Sequence, residues 1–115
     1  MDSILTSVKK MLGIAEEYEH FDVDLIMHIN SVFMILTQLE VGPSDGFFIH
    51  DSSSTWSDFL SDRRADLVRS YMYLKVRMLF DPPESSAAIE ATKQQINEFE
   101  WRLMVHEDPI DEEKG

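Results

Sequence analysis

Apolar residues near the start of the chain fall at Ile4, Leu5, Val8, Met11 and Leu12, the spacing of one helical face. Asp2 or Ser3 can cap the front of this helix, and Gly13 followed by Ile14 is a stop signal with its hydrophobic follower. A helix of about ten residues is shorter than the roughly 12–15 at which isolated helices become marginal in water. It must therefore dock on a larger helical body. Ala15 to His20, with Glu16, Glu17 and Glu19, reads as a solvated link. A second helix is predicted from Asp22, as N-cap, to about Leu39, with Phe21 stapled on Ile26. Leu25, Ile26, Ile29, Val32, Phe33, Leu36 and Leu39 share its broad face, while Val23, Met27 and Met34 fall on a separate flank.

The helical pattern breaks between about 40 and 62. Gly42-Pro43-Ser44-Asp45-Gly46 is turn chemistry, Phe47 to Ile49 fits a short strand, and Asp51 to Ser54 a turn back, so the segment is either an irregular long loop or a β-hairpin. Thr55 to Leu60 fits one helical turn or a returning strand. The aromatic residues Phe47, Phe48, Trp56 and Phe59 argue against plain disorder. A long helix is predicted from Arg63 to Phe80. Leu67, Tyr71, Leu74 and Met78 make one stripe and Val68, Met72 and Leu79 another, so this element is packed on several sides. Asp81, Pro82 and Glu84 fit the N-cap, first-turn and capping-box positions of a last helix. That helix runs from about Glu84 to Val105 on a narrow stripe of Ile89, Thr92, Ile96, Phe99 and Leu103, with Trp101 nearly opposite. The expected fold is an all-α small helical bundle of one short and three longer helices, with a long loop between the central ones. One domain spans residues 1–105, and 106–115 is expected to be a mobile acidic tail.

At 115 residues and 43% hydrophobic content, the chain suffices for one core. It has no apolar run of about 18 residues, so no membrane span is expected. The start lacks the apolar region of a signal peptide, so secretion is not expected. Absence of cysteine excludes disulfides and thiolate chemistry. A formal charge of −12 argues against grip on nucleic acid, which needs clustered Lys and Arg. Closeness to DNA without grip stays open.

Candidate chemistry is sparse. Asp24 and His28 share a helix face and could chelate a metal as a pair, but no second pair has matching spacing, and an exposed surface pair is the simpler reading. His20, His50 and His106 sit in link, loop and tail. Neither the serines nor the four glycines form a nucleophile elbow, a phosphate loop or a dinucleotide fingerprint. No catalytic residue, metal or cofactor is therefore expected. The surplus of apolar residues is more telling: Met27, Met34, Phe47, Phe48, Trp56, Tyr73 and Trp101 are candidates for a subunit or partner interface. The competing reading is that the short first helix and the loop cover them.

Three blocks occur in order: Ile4 to Ile14 followed by Asp22, Tyr71 to Pro83, and Ile96 to Leu103. Together they make the chain resemble the phage head–tail connector (adaptor) family. The resemblance implies a non-enzymatic virion protein at the head–tail interface, made in the host cytoplasm. It implies a ring, typically of twelve copies, seated under the portal protein and carrying the stopper or tail-completion protein. DNA passes through its channel without specific binding. In that setting the tail residues Glu107, Asp108, Asp111 and Glu112 are candidates for portal contact. A second reading, motivated by charge alone, is an acidic DNA mimic that inhibits a nucleic-acid-binding protein. Its weakness is that the acids are dispersed rather than spaced like phosphates along one face. A third reading, a metal-dependent hydrolase, rests only on Asp24 and His28.

Overall fold

The computed structural model of the chain describes residues 3–105. Its described residues form five helices: α1 (Ile4–Leu12), α2 (Asp22–Gln38), α3 (Trp56–Phe59), α4 (Ala65–Phe80) and α5 (Ser86–Val105). The expected all-α class holds, with one helix more than expected and without the hairpin. Asp2 and the acidic segment holding Glu107, Asp108, Asp111 and Glu112 lie outside the described residues.

The Ser3 hydroxyl caps α1 by accepting a hydrogen bond from the Thr6 N–H at 3.2 Å. Gly13, at φ 81°, closes it. The N–H groups of Gly13 and Ile14 reach back to the carbonyls of Lys10 and Lys9 at 3.1 and 2.9 Å, a Schellman motif. Ile4, Leu5 and Val8 are buried, whereas Met11 of the same stripe is half exposed. α1 packs against both α2 and α4, so it completes the core of its own subunit.

α4 is the central element, touching α1, α2 and α5. Its Val68, Tyr71, Met72 and Val76 face Leu25, Ile29, Val32, Phe33 and Leu36 of α2 within one buried cluster. The apolar surface around α4 thus has the cause the pattern suggested, except at Leu79, which is exposed. α5 rests chiefly on α4 and buries only Ile96 and Leu103. Its narrow stripe reflects that single neighbour.

Two helix starts differ from expectation. Asp22 is the first residue of α2, not its cap; the capping position is held by Phe21 without a side-chain bond. The Asp22 carboxylate is drawn instead to Lys9 Nζ, 2.8 Å away, and Phe21 packs edge-on against Phe80 at 5.1 Å. Asp81 ends α4 rather than opening α5, and the Ser85 hydroxyl accepts from the Ala88 N–H at 3.1 Å just before α5 begins. With two successive prolines after Asp81, no helix begins until Ser85 can cap it.

α2 ends with the same motif as α1, but a glutamate takes the glycine position. Glu40 has φ 65°, its N–H reaches Thr37 O at 2.9 Å, and the Val41 N–H reaches Leu36 O at 2.9 Å. A side chain in the left-handed region costs about 1–2 kcal/mol. Glu40→Gly is therefore expected to stabilise the fold by about 0.5–1 kcal/mol, raising Tm by a few degrees in a thermal melt. An unchanged or lower Tm would contradict this account of the turn.

Candidate interaction surface

The segment after α2 is folded onto the bundle, and one polar side chain holds it there. Asn30 of α2 donates from Nδ2 to the Ile49 carbonyl at 3.0 Å and accepts the Ile49 N–H on Oδ1 at 2.8 Å. Its amide therefore satisfies both backbone groups of the buried Ile49, as a neighbouring strand would, and no hairpin forms. Three phenylalanines close underneath: the Phe33 ring lies 5.0 Å from Phe47 and 4.7 Å from Phe59, and Phe47 lies 5.3 Å from Phe59. Gly42, at φ 90°, passes so close that a Cβ there would overlap the Phe59 ring.

Trp56 opens α3 and is buried within the subunit. Its indole N–H donates to Ser7 Oγ at 2.8 Å, and the Arg69 guanidinium lies 5.6 Å from the ring centroid. The Ile4 N–H meets Ser54 O at 3.0 Å, with Ser3 and Thr55 in an isolated antiparallel bridge. These contacts tie α1 to the loop. Of the residues singled out as interface candidates, the side chain of Trp56 is thus committed to its own core. Phe47 and Tyr73 are half-buried.

The remaining four are open to solvent: Met27 at 62%, Met34 at 54%, Phe48 at 51% and Trp101 at 62%. Val23, 72% exposed, joins Met27 and Met34 within about 40° of arc on α2, a stripe roughly 16 Å long. Phe48 directly precedes the residue pinned to Asn30, which lies between Met27 and Met34 on the helix. Loop and helix thus present apolar side chains near one another. A second group sits near the end of α5, where Trp101 and the exposed Met104 are three residues apart and share a face. Met104 was missed in the sequence reading, although its i, i+3 spacing from Trp101 already places the two on one face.

Lys9 and Asn30 were also missed, although both carried a signal. Each is a polar residue lying within an apolar stripe, Lys9 beside Leu5 and Leu12, Asn30 between Ile26 and Phe33. Lys9 is 2% exposed, and its Nζ meets Asp22 Oδ1 at 2.8 Å and donates to the Glu16 carbonyl at 2.9 Å. One ammonium thereby fastens the acidic link and the start of α2 to α1.

Asp24 is exposed, and half-buried His28 turns its ring edge toward Phe80 at 6.5 Å. Among the described residues no group of three or more His, Asp or Glu is placed to hold a metal ion, and no helix is long and apolar enough to cross a membrane. The Tyr71 hydroxyl donates to Glu100 Oε2 at 2.7 Å across α4 and α5. Burial, then the hydrogen bond and charge of Glu100, push this phenol well above its ordinary pKa, which keeps it a donor.

The geometry is that of a helical body with apolar side chains presented from α2, its loop and α5. No curated protein and no solved structure matches the chain. A family model described as phage connector protein matches residues 4–109, which takes in all five helices, and the chain therefore belongs to the phage connector family, a family of structural head–tail proteins.

Proposed function

We propose that the chain is one subunit of a ring, a dodecamer by family resemblance, that sits beneath the portal and joins the DNA-filled head to the stopper or tail. Subunits are made in the host cytoplasm and assemble at the head–tail interface of the virion. The observation that carries this reading is the presence of exposed apolar groups on different elements, Val23, Met27, Met34 and Phe48 on α2 and its loop and Trp101 with Met104 on α5. A head-to-tail ring needs two different patches on each subunit, one per neighbour. Large aromatic residues and Met suit the centre of such contacts. The overall charge of −12 suits a conduit, since carboxylates give DNA phosphates nothing to hold. The acidic residues Glu107, Asp108, Asp111 and Glu112 are proposed to meet the portal.

Mixing the protein with portal complexes is expected to give rings visible by electron microscopy. The double variant Met27→Lys/Met34→Lys is expected to abolish the rings while its Tm falls by no more than a few degrees, because both side chains are more than half in water and Lys matches Met in helix propensity. Phage lacking the protein should accumulate heads and tails that are not joined. Normal tailed, DNA-filled virions in its absence would overturn the proposal.

A further inference from the structure

A locally basic recess lies between α4 and α5 of this acidic chain. A groove of about 430 Å³ is lined by apolar Met78, Leu79 and Ile96 and by Lys75, Lys93 and Asn97. Glu100 also borders it, with one carboxylate oxygen engaged by the Tyr71 hydroxyl at 2.7 Å. Two lysines against one carboxylate give the groove a positive balance in a chain of net charge −12. Neither lysine has an ion-pair partner among the described residues. Leu79, 52% exposed, leaves apolar surface at the lip of the recess.

The chain itself supplies a segment of complementary character. Ten residues follow Val105, and five of them are acidic: Glu107, Asp108, Asp111, Glu112 and Glu113. Ile110 is their single large apolar residue, with carboxylates on both sides. From the end of α5 back to Lys93 is roughly 18 Å along the helix. Doubling back directly after Val105, an extended chain reaches about 17 Å to Ile110 and about 27 Å to Glu113, enough for Ile110 to meet Ile96, about 13 Å back along α5, and for the acids to meet Lys93.

We propose that residues 106–115 fold back into the α4–α5 groove in cis, with Ile110 against Leu79 and Ile96 and the carboxylates of Asp111, Glu112 and Glu113 facing Lys75 and Lys93. The tether makes the contact intramolecular, so a weak intrinsic affinity is enough to occupy the groove. The inference goes beyond the ring reading and does not depend on it. It adds that any portal contact by this segment competes with its own subunit.

The test is carbodiimide zero-length cross-linking of the full chain, using an equal mixture of ¹⁵N-labelled and unlabelled protein, read by mass spectrometry. Expected are links from Lys75 or Lys93 to Asp111, Glu112 or Glu113, with both partners carrying the same isotope. Their yield should fall about threefold or more in roughly 0.5 M salt, which screens the pairing, and similarly in Ile110→Ser, which keeps every charge. Absence of such links would overturn the proposal. Mixed-isotope links would overturn it too, by placing a second copy's segment in the groove. So would an Ile110→Ser yield equal to that of the parent, since the acids would then be reacting without an anchored segment.

Discussion

Phe33→Ala is expected to cost about 3–5 kcal/mol, the largest loss of any single truncation considered. Phe33 is fully buried and is the hub of the aromatic cluster, with ring centroids of Phe59, Phe47 and Trp56 at 4.7, 5.0 and 6.5 Å. Its removal leaves a void bounded by α2 on one side and by the loop and α3 on the other. The loop's other attachments include the Asn30 amide, the Trp56 indole, the Ile4–Ser54 backbone bond and the buried side chains of Val41 and Ile49. It is expected to loosen along with the cluster. Since small domains have only about 5–15 kcal/mol in total, Tm should fall by more than about 10 °C. Denaturant melts of Phe33→Ala beside Phe48→Ala give the contrast, because half-exposed Phe48 should cost no more than about 0.5 kcal/mol. Equal losses from the two would mean that the loop is not packed through Phe33.

Replacing Lys9 by Met should destabilise the fold by about 2–3 kcal/mol although the apolar stem is kept. The ammonium is the partner of Asp22 Oδ1 at 2.8 Å and of the Glu16 carbonyl at 2.9 Å. Breaking a fully buried pair costs about 3–5 kcal/mol, mostly by stranding the other charge. Asp22 keeps 24% of its side chain in water, which moderates the penalty. That origin makes a further prediction. With Asp22→Asn already in place, Lys9→Met should cost at least about 1 kcal/mol less than it does alone, as a double-mutant cycle by urea unfolding reads directly. Strict additivity would show that the two groups are not coupled and that Lys9 matters only through its stem.

Several elements were legible because local chemistry decided them. The spacing of Leu25, Ile29, Val32, Phe33 and Leu36 specifies the buried face of α2. Ser3 and Gly13 bracket α1 by bonds made to residues within five positions. The boundaries at Asp22 and Asp81 were misread for the opposite reason. Asp is an equally good cap at either position, and a partner distant in sequence, or the prolines that follow, outweighed that preference.

The loop shows the limit most clearly. Phe47 to Ile49 has strand composition, and nothing local says that its partner is a side chain nineteen residues earlier. Exposure on α2 was readable as a flank, since a helix has fixed angular spacing and Val23, Met27 and Met34 fall off the core stripe by geometry alone. Trp56 was not readable in that way, because its burial depends on Ser7 and Arg69 arriving from two other helices.

By itself, then, the sequence determined the helical class, the buried faces of the long helices, the acidic character and the resemblance to connectors, all of which follow from periodicity, composition and order along the chain. Long-range packing alone established that α1 closes its own subunit's core, that Lys9 and Asn30 hold link and loop in place, and which apolar residues remain in water. These are contacts between segments far apart in sequence, and local spacing carries no record of which distant groups meet.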